Sequence, residues 1–165
     1  MIYGNPPSGE PLTQGDIIDV CPLIYWLIDA QSQQRVATES NERILVLSQA
    51  CDLANARTTR VQAAVVHEAR ALVDAGILKS QTIRDQIRRH QVFGWYFLPA
   101  DEKRPEVIVD LRDIHTLPRA LLEGLVSEGH RLASLASPYR EHLAQHFAVT
   151  YSRIALPEPY ETRPD

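Results

Sequence analysis

The 165-residue sequence has no close pair of cysteines, a single methionine, no surplus of basic charge and no long apolar run. Cys21 and Cys51 lie far apart, without the C-x2-C spacing that builds zinc sites, so both are read as free thiols and no metal or other cofactor is expected. A membrane-spanning helix needs about 20 apolar residues. The longest apolar run, "VCPLIYWLI" from Val20 to Ile28, is only strand-sized. The start, "MIYGNPPSGEP", lacks the cationic and apolar blocks of a secretory signal, and a cytoplasmic protein without a membrane partner is expected. A formal net charge of −4 argues against a domain whose main task is gripping phosphate backbones. DNA is therefore not indicated, and RNA would need a local basic patch.

With 44% hydrophobic and 23% charged residues, the chain has the composition of an ordinary globular protein. A chain of this length buries roughly two thirds of its unfolded surface, so we expect one domain over 1–165 with a real core. Residues 1–11, rich in proline and glycine, read as an arm. Residues 12–68 carry the first strands. "QGDIIDVCPLIYWLI" reads as a strand bent near Pro22, and "DAQSQQRVATESN" as a loop with a short edge hairpin at Arg35 to Thr38. "RILVLSQ" and "RVQAAVVHE" are strands separated by the turn formers of "ACDLANARTT".

Over residues 69–91 the apolar period lengthens into two short helices broken at Gly76. Residues 92–117 return to strands in "VFGWYFLP" and "EVIVDLRDIHTL". Residues 118–156 form C-terminal helices that begin near Pro118 and Pro138, and 157–165 form a tail. Short meandering strands without βαβ alternation favour a mainly β fold with added α: a small antiparallel barrel with a helical insertion and C-terminal helices.

The order "GDIIDV", "RILVLSQ", "RVQAAVV" and then "VIVDLRDI" resembles that of the PemK/MazF-like toxins, and the similarity covers about half of the chain in scattered blocks. The resemblance implies an SH3-like barrel, a protein partner or homo-oligomer, and descent from endoribonucleases paired with antitoxins. In that family an Arg before the V-L-S strand and a Thr or Ser after the next strand polarise the scissile phosphate. Here Glu42-Arg43 stands in place of the family's Arg-Pro, so Arg43 falls one position late and on the other strand face. His67 and Glu68 stand where the family has its Thr.

The expected function is accordingly a binding and assembly module of a bacterial conflict or toxin–antitoxin-like system. One alternative is an active endoribonuclease cleaving single-stranded RNA with Arg43, His67, Glu68 and Arg112. Another is a thiol enzyme with Cys51 as nucleophile and His67 or His115 as its base. Ser48, Gln49, Cys51, Asp52 and Asn55 crowd one rim turn, where Asp52 is expected to accept backbone N–H bonds. Arg84, Arg88 and Arg89, followed by Trp95 and Tyr96, are candidate RNA contacts by charge and stacking. His142 and His146, at i and i+4, share a helix face without a third ligand at a telling interval. On the last helix Leu143, Phe147, Tyr151 and Ile154, with Tyr139 just ahead, form an apolar stripe expected to be a partner interface, with packing on the barrel as the alternative.

Overall fold

The computed structural model describes residues 1–7 and 9–152. Its strands are β1 (Tyr3–Gly4), β2 (Asp16–Ile28), β3 (Arg35–Val46), β4 (Arg60–Glu68), β5 (Trp95–Leu98), β6 (Val107–Pro118) and β7 (Arg131–Leu135). The helices are α1 (Ala50–Ala54), α2 (Ala69–Asp74), α3 (Ser80–Asp85), α4 (Arg119–Ser127) and α5 (Tyr139–Tyr151), with a 3-10 turn at Ile87–Arg89. All strand pairs are antiparallel, and they make one open sheet in the order β1-β7-β2-β3-β4-β6-β5.

One core cluster draws residues from all seven strands, among them Tyr3, Ile17, Leu45, Val66, Leu98, Val109 and Leu135. A flat sheet cannot gather both of its edges around one cluster, so the sheet is curled. Its edge strands meet through side chains: the Tyr3 hydroxyl donates to the Pro99 carbonyl at 2.7 Å, and Arg104 donates to Asn5 and to the Leu132 carbonyl. Among the described residues no backbone ladder joins β1 to β5. The outer face is covered by α4 and α1 over Ile44, Val61 and Val65, and by α2 and α3 over Phe97 and Ile108.

The start of β2 shows how the sequence sets this curl. Gly15 adopts φ +84, and a Cβ there would lie 2.9 Å from Cβ of Leu135, so only glycine fits the turn against β7. The next residue, Asp16, is wholly buried. Its carboxylate accepts the Thr13 N–H at 2.9 Å, the Arg131 guanidinium at 3.1 Å and the Ser134 hydroxyl. Burial pushes the Asp16 carboxyl up, against the pull of those three partners.

Beyond Cys21, β2 and β3 leave the sheet. β7 pairs only with Asp16, Ile17 and Ile18, and β4 only with Ile44, Leu45 and Val46, whereas the β2–β3 register runs on to Ile28 opposite Arg35. The pair becomes a two-stranded arm with both edges free. A bulge between Ile18 and Cys21, with Val20 at φ 50, marks its root, just before Pro22. At the tip the Asp29 carboxylate accepts the N–H groups of Gln31 and Ser32.

Three local expectations are corrected. The stretch expected as a loop with a short hairpin from Arg35 to Thr38 is the first half of β3, a continuous strand from Arg35 to Val46. Both of its faces are in water on the arm, so no alternation of apolar and polar residues announces it. Residues 50–54, expected as turn, are the helical turn α1. The strand β7 was not anticipated: it has five residues and lies between helices.

Candidate functional site

Two cavities collect the chemistry. The first is the mouth of the curled sheet. Arg43 precedes Leu45 by two positions on β3, Asp19 follows Ile17 on β2, and Glu68 follows Val66 on β4. Strand alternation therefore aims all three side chains toward the inner face. Arg43 lies 3.3 Å from Asp19 and 3.8 Å from Glu68, and its Nε is buried without a hydrogen-bond partner among the described residues. A cavity of about 310 Å³ opens beside it, floored by Ile17 and Val107 and rimmed by Lys103 and Arg104. Arg104 is committed elsewhere, to Asp101 and over the Tyr3 ring.

Of the four residues expected to act together, the structure joins Arg43 and Glu68 and separates the other two. His67 alternates with Ala63 and Val65 toward the outer face, opposite Glu68. Arg112 grips Asp110 through two bonds of 2.9 Å and lies 3.9 Å over the Trp95 ring. Gly94 gives it room, since a Cβ there would stand 3.0 Å from the Arg112 side chain.

The rim residues from Ser48 to Asn55 mainly hold their own turn. Ser48 Oγ accepts the Gln62 N–H at 2.8 Å, and Asn55 Oδ1 accepts the Arg57 N–H at 2.9 Å. At Asp52 it is the backbone carbonyl that accepts bonds, from the Asn55 N–H and the Thr58 hydroxyl. The carboxylate points to solvent, which corrects the expected role of that side chain. Cys51 is exposed and meets only the amide oxygen of Gln49, at 3.5 Å, so neither His67 nor His115 serves it as a base; His115 bonds Asp113 instead. The thiol of Cys21 is buried and pushed up to about 11.

The second cavity, about 580 Å³, lies between β5, the 3-10 turn and α5. His90, left-handed at φ 55 at the end of the 3-10 turn, stacks on Tyr96 at 4.7 Å. Its ring also meets His142 at 4.6 Å and His146 at 5.6 Å edge-on. The Tyr96 hydroxyl bonds His142 Nδ1 at 2.9 Å. Burial and the two neighbouring imidazoles push His90 down to about 4, and burial lowers His146 as well. Sequence spacing brought out the i, i+4 histidines but not His90 and Tyr96, which reach them across the fold. The described residues contain no group of three or more His, Cys, Asp or Glu arranged to hold a metal.

The expected RNA contacts divide between these surroundings. Arg84 pairs with Asp85 at 3.4 Å, Arg88 lies 5.3 Å over the Phe97 ring beside the second cavity, and Arg89 is exposed. Trp95 and Tyr96 are buried, so neither offers the open stacking surface expected of it. On α5, Leu143 is fully buried in the inner core, Phe147 packs against the same core, and the Tyr151 hydroxyl donates to the Leu111 carbonyl at 2.5 Å. This stripe faces the chain's own sheet, which takes Leu143 and Phe147 from any partner; Tyr139 is exposed and Ile154 lies outside the described residues.

Among the described residues, a group of exposed apolar side chains lies instead on the arm. Ile24, Trp26, Leu27, Ile28 and Val36 are 62%, 72%, 54%, 60% and 45% exposed. No helix among the described residues is long and apolar enough to cross a membrane. No protein-family model matches the chain, and no curated protein matches it.

Proposed function

We propose that this protein is an assembly module of a bacterial conflict or toxin–antitoxin-like system, built on an SH3-like barrel of the PemK/MazF kind. It assembles by laying its β2–β3 arm against the arm of a second copy. The order of the sequence blocks and the curl of the sheet support the barrel. One observation carries the assembly: the far end of the longest apolar run, Trp26, Leu27 and Ile28 together with Ile24, stands in water on an arm with two open edges. Monomers seldom leave such a patch uncovered, and a free strand edge offers a row of unpaired N–H and C=O groups.

A second copy suits this surface because an open edge is complementary to itself in an antiparallel two-fold contact. Ile24, Trp26 and Ile28 alternate onto one face of the arm, so a two-fold contact through that face covers the three together. Hydrogen exchange tests the proposal. Amides of residues 23–28 should gain protection as protein concentration rises, while the sheet stays unchanged. Exchange independent of concentration would contradict pairing between copies, and protection appearing only with an added protein would assign the arm to a different partner.

A second reading, the endoribonuclease, is favoured by Arg43. Its loose ion pairs and unpartnered Nε leave a guanidinium with spare donors in a cavity that admits a phosphate. In this reading Arg43 stabilises the charge that develops on the scissile phosphate and Glu68 takes the proton of the attacking 2′-hydroxyl. Purified protein should then shorten total RNA, and Arg43→Ala should stop it. Intact RNA after long incubation would eliminate this reading.

A further inference from the structure

We propose that the cavity between β5, the 3-10 turn and α5 is a binding site for a nucleotide, that is, a purine or pyrimidine ring carrying a phosphate. Its volume of about 580 Å³ lies within the range of small-molecule sites and exceeds what bound water needs. Its lining is rich in planar groups: Pro99, Pro138 and the exposed Tyr139 join His90, which is itself backed by the buried Tyr96. Flat aromatic and proline faces select planar rings over branched or flexible ligands.

The electrostatics specify the rest of the ligand. No carboxylate lines the cavity, and Arg88, which does, has no ion pair among the described residues. A guanidinium left without a carboxylate at the rim of an aromatic cavity recognises an anion, and its fork matches a phosphate. His90 stays neutral at pH 7 because burial and the flanking imidazoles hold it down to about 4. It therefore adds a stacking face and no competing positive charge. The Tyr96 hydroxyl and His142 Nδ1 share a hydrogen bond of 2.9 Å, which holds the His142 ring in place at the cavity wall. The ring contacts of His90 with Tyr96, His142 and His146 fix this wall in advance of binding, which lowers the entropic cost of closing around a ligand. This cavity shares no lining residue with the one beside Arg43, so the two sites can be tested apart.

Calorimetric titration of the full chain with the four nucleoside 5′-monophosphates, the matching nucleosides, inorganic phosphate and a short single-stranded RNA tests the proposal. At least one monophosphate should bind, with its nucleoside and inorganic phosphate each weaker by about tenfold or more, since ring and phosphate both contribute. Arg88→Gln and Tyr139→Ala, both at exposed positions and checked for folding by circular dichroism, should each weaken it by about tenfold, while Arg43→Ala leaves it unchanged. RNA binding tighter than the monophosphate, with the same response to Arg88→Gln, assigns the nucleotide to a strand; equal or weaker RNA binding assigns it to a free nucleotide. No saturation by any monophosphate at millimolar concentration, or affinity indifferent to both substitutions, would overturn the proposal.

Discussion

A carboxylate shut away from water ties the two ends of the chain together. Asp16 meets Arg131, itself nearly buried, 115 residues later in sequence, and removing either partner strands the other's charge. Breaking a buried pair of this kind costs about 3–5 kcal/mol, so Asp16→Ala should lose about that much in urea unfolding. A loss below about 1 kcal/mol would mean that water reaches Arg131 after all. The Gly-Asp pair was legible as the start of a strand. Its partners were not, because nothing local to residues 15 and 16 points to Arg131, Ser134 or Leu135. The same limit applies to the mouth: Arg43 and Glu68 stood out by residue type, but their meeting, and the exclusion of His67, depend on which face each strand position takes.

At the scale of elements, the stripe on α5 was read correctly as a pattern but assigned to a partner interface, which the burial of Leu143 in the chain's own core corrects. The stripe of Leu143, Phe147 and Tyr151 was visible as a helix face, and it packs on the chain's own sheet. Leu143→Ala should therefore cost about 2–5 kcal/mol in thermal or urea unfolding without changing the mass of the protein in solution. A variant of unchanged stability would place that helix off the core. The histidines beneath α5 make the same contact sensitive to pH. His90, faced by Tyr96, His142 and His146, has a folded-state pKa of about 4, below its ordinary 6.5. The unfolded chain therefore binds the proton first, and stability is lost as pH falls from 6.5 toward 4, with no cost above 6.5. His90→Asn keeps a residue that tolerates the left-handed backbone and removes the titration. Melting curves between pH 7 and pH 5 should fall less steeply for this variant than for the unaltered protein, and parallel curves would contradict the assignment. Strands buried on both faces, such as β4 and the first half of β6, were legible because burial writes a near-continuous apolar run. The outer half of β3 was not, since a strand in water on both faces carries none.

Over the whole molecule, the location of apolar surface carries the account. A chain that encloses Tyr96, Leu111 and Leu143 completely leaves Trp26 and Ile28 in solvent, at the end of an arm whose outer part no other strand joins by a backbone ladder. The sequence shows the run Val20 to Ile28 as a strand and gives no sign that it leaves the core, because exposure depends on how far β7 and β4 extend beside it. At concentrations too dilute for pairing, replacing Trp26 and Ile28 by glutamate should leave the melting temperature nearly unchanged, since neither side chain is buried within the chain. A large loss of stability would show that the arm folds back on its own sheet. The central claim is that the arm joins two copies, and sedimentation equilibrium across a concentration series tests it most directly. The unaltered protein should approach twice its 18.6 kDa chain mass as concentration rises, and the Trp26→Glu, Ile28→Glu variant should remain at the mass of one chain. A single-chain mass for the unaltered protein at high micromolar concentration, or a dimer that survives both substitutions, would contradict it.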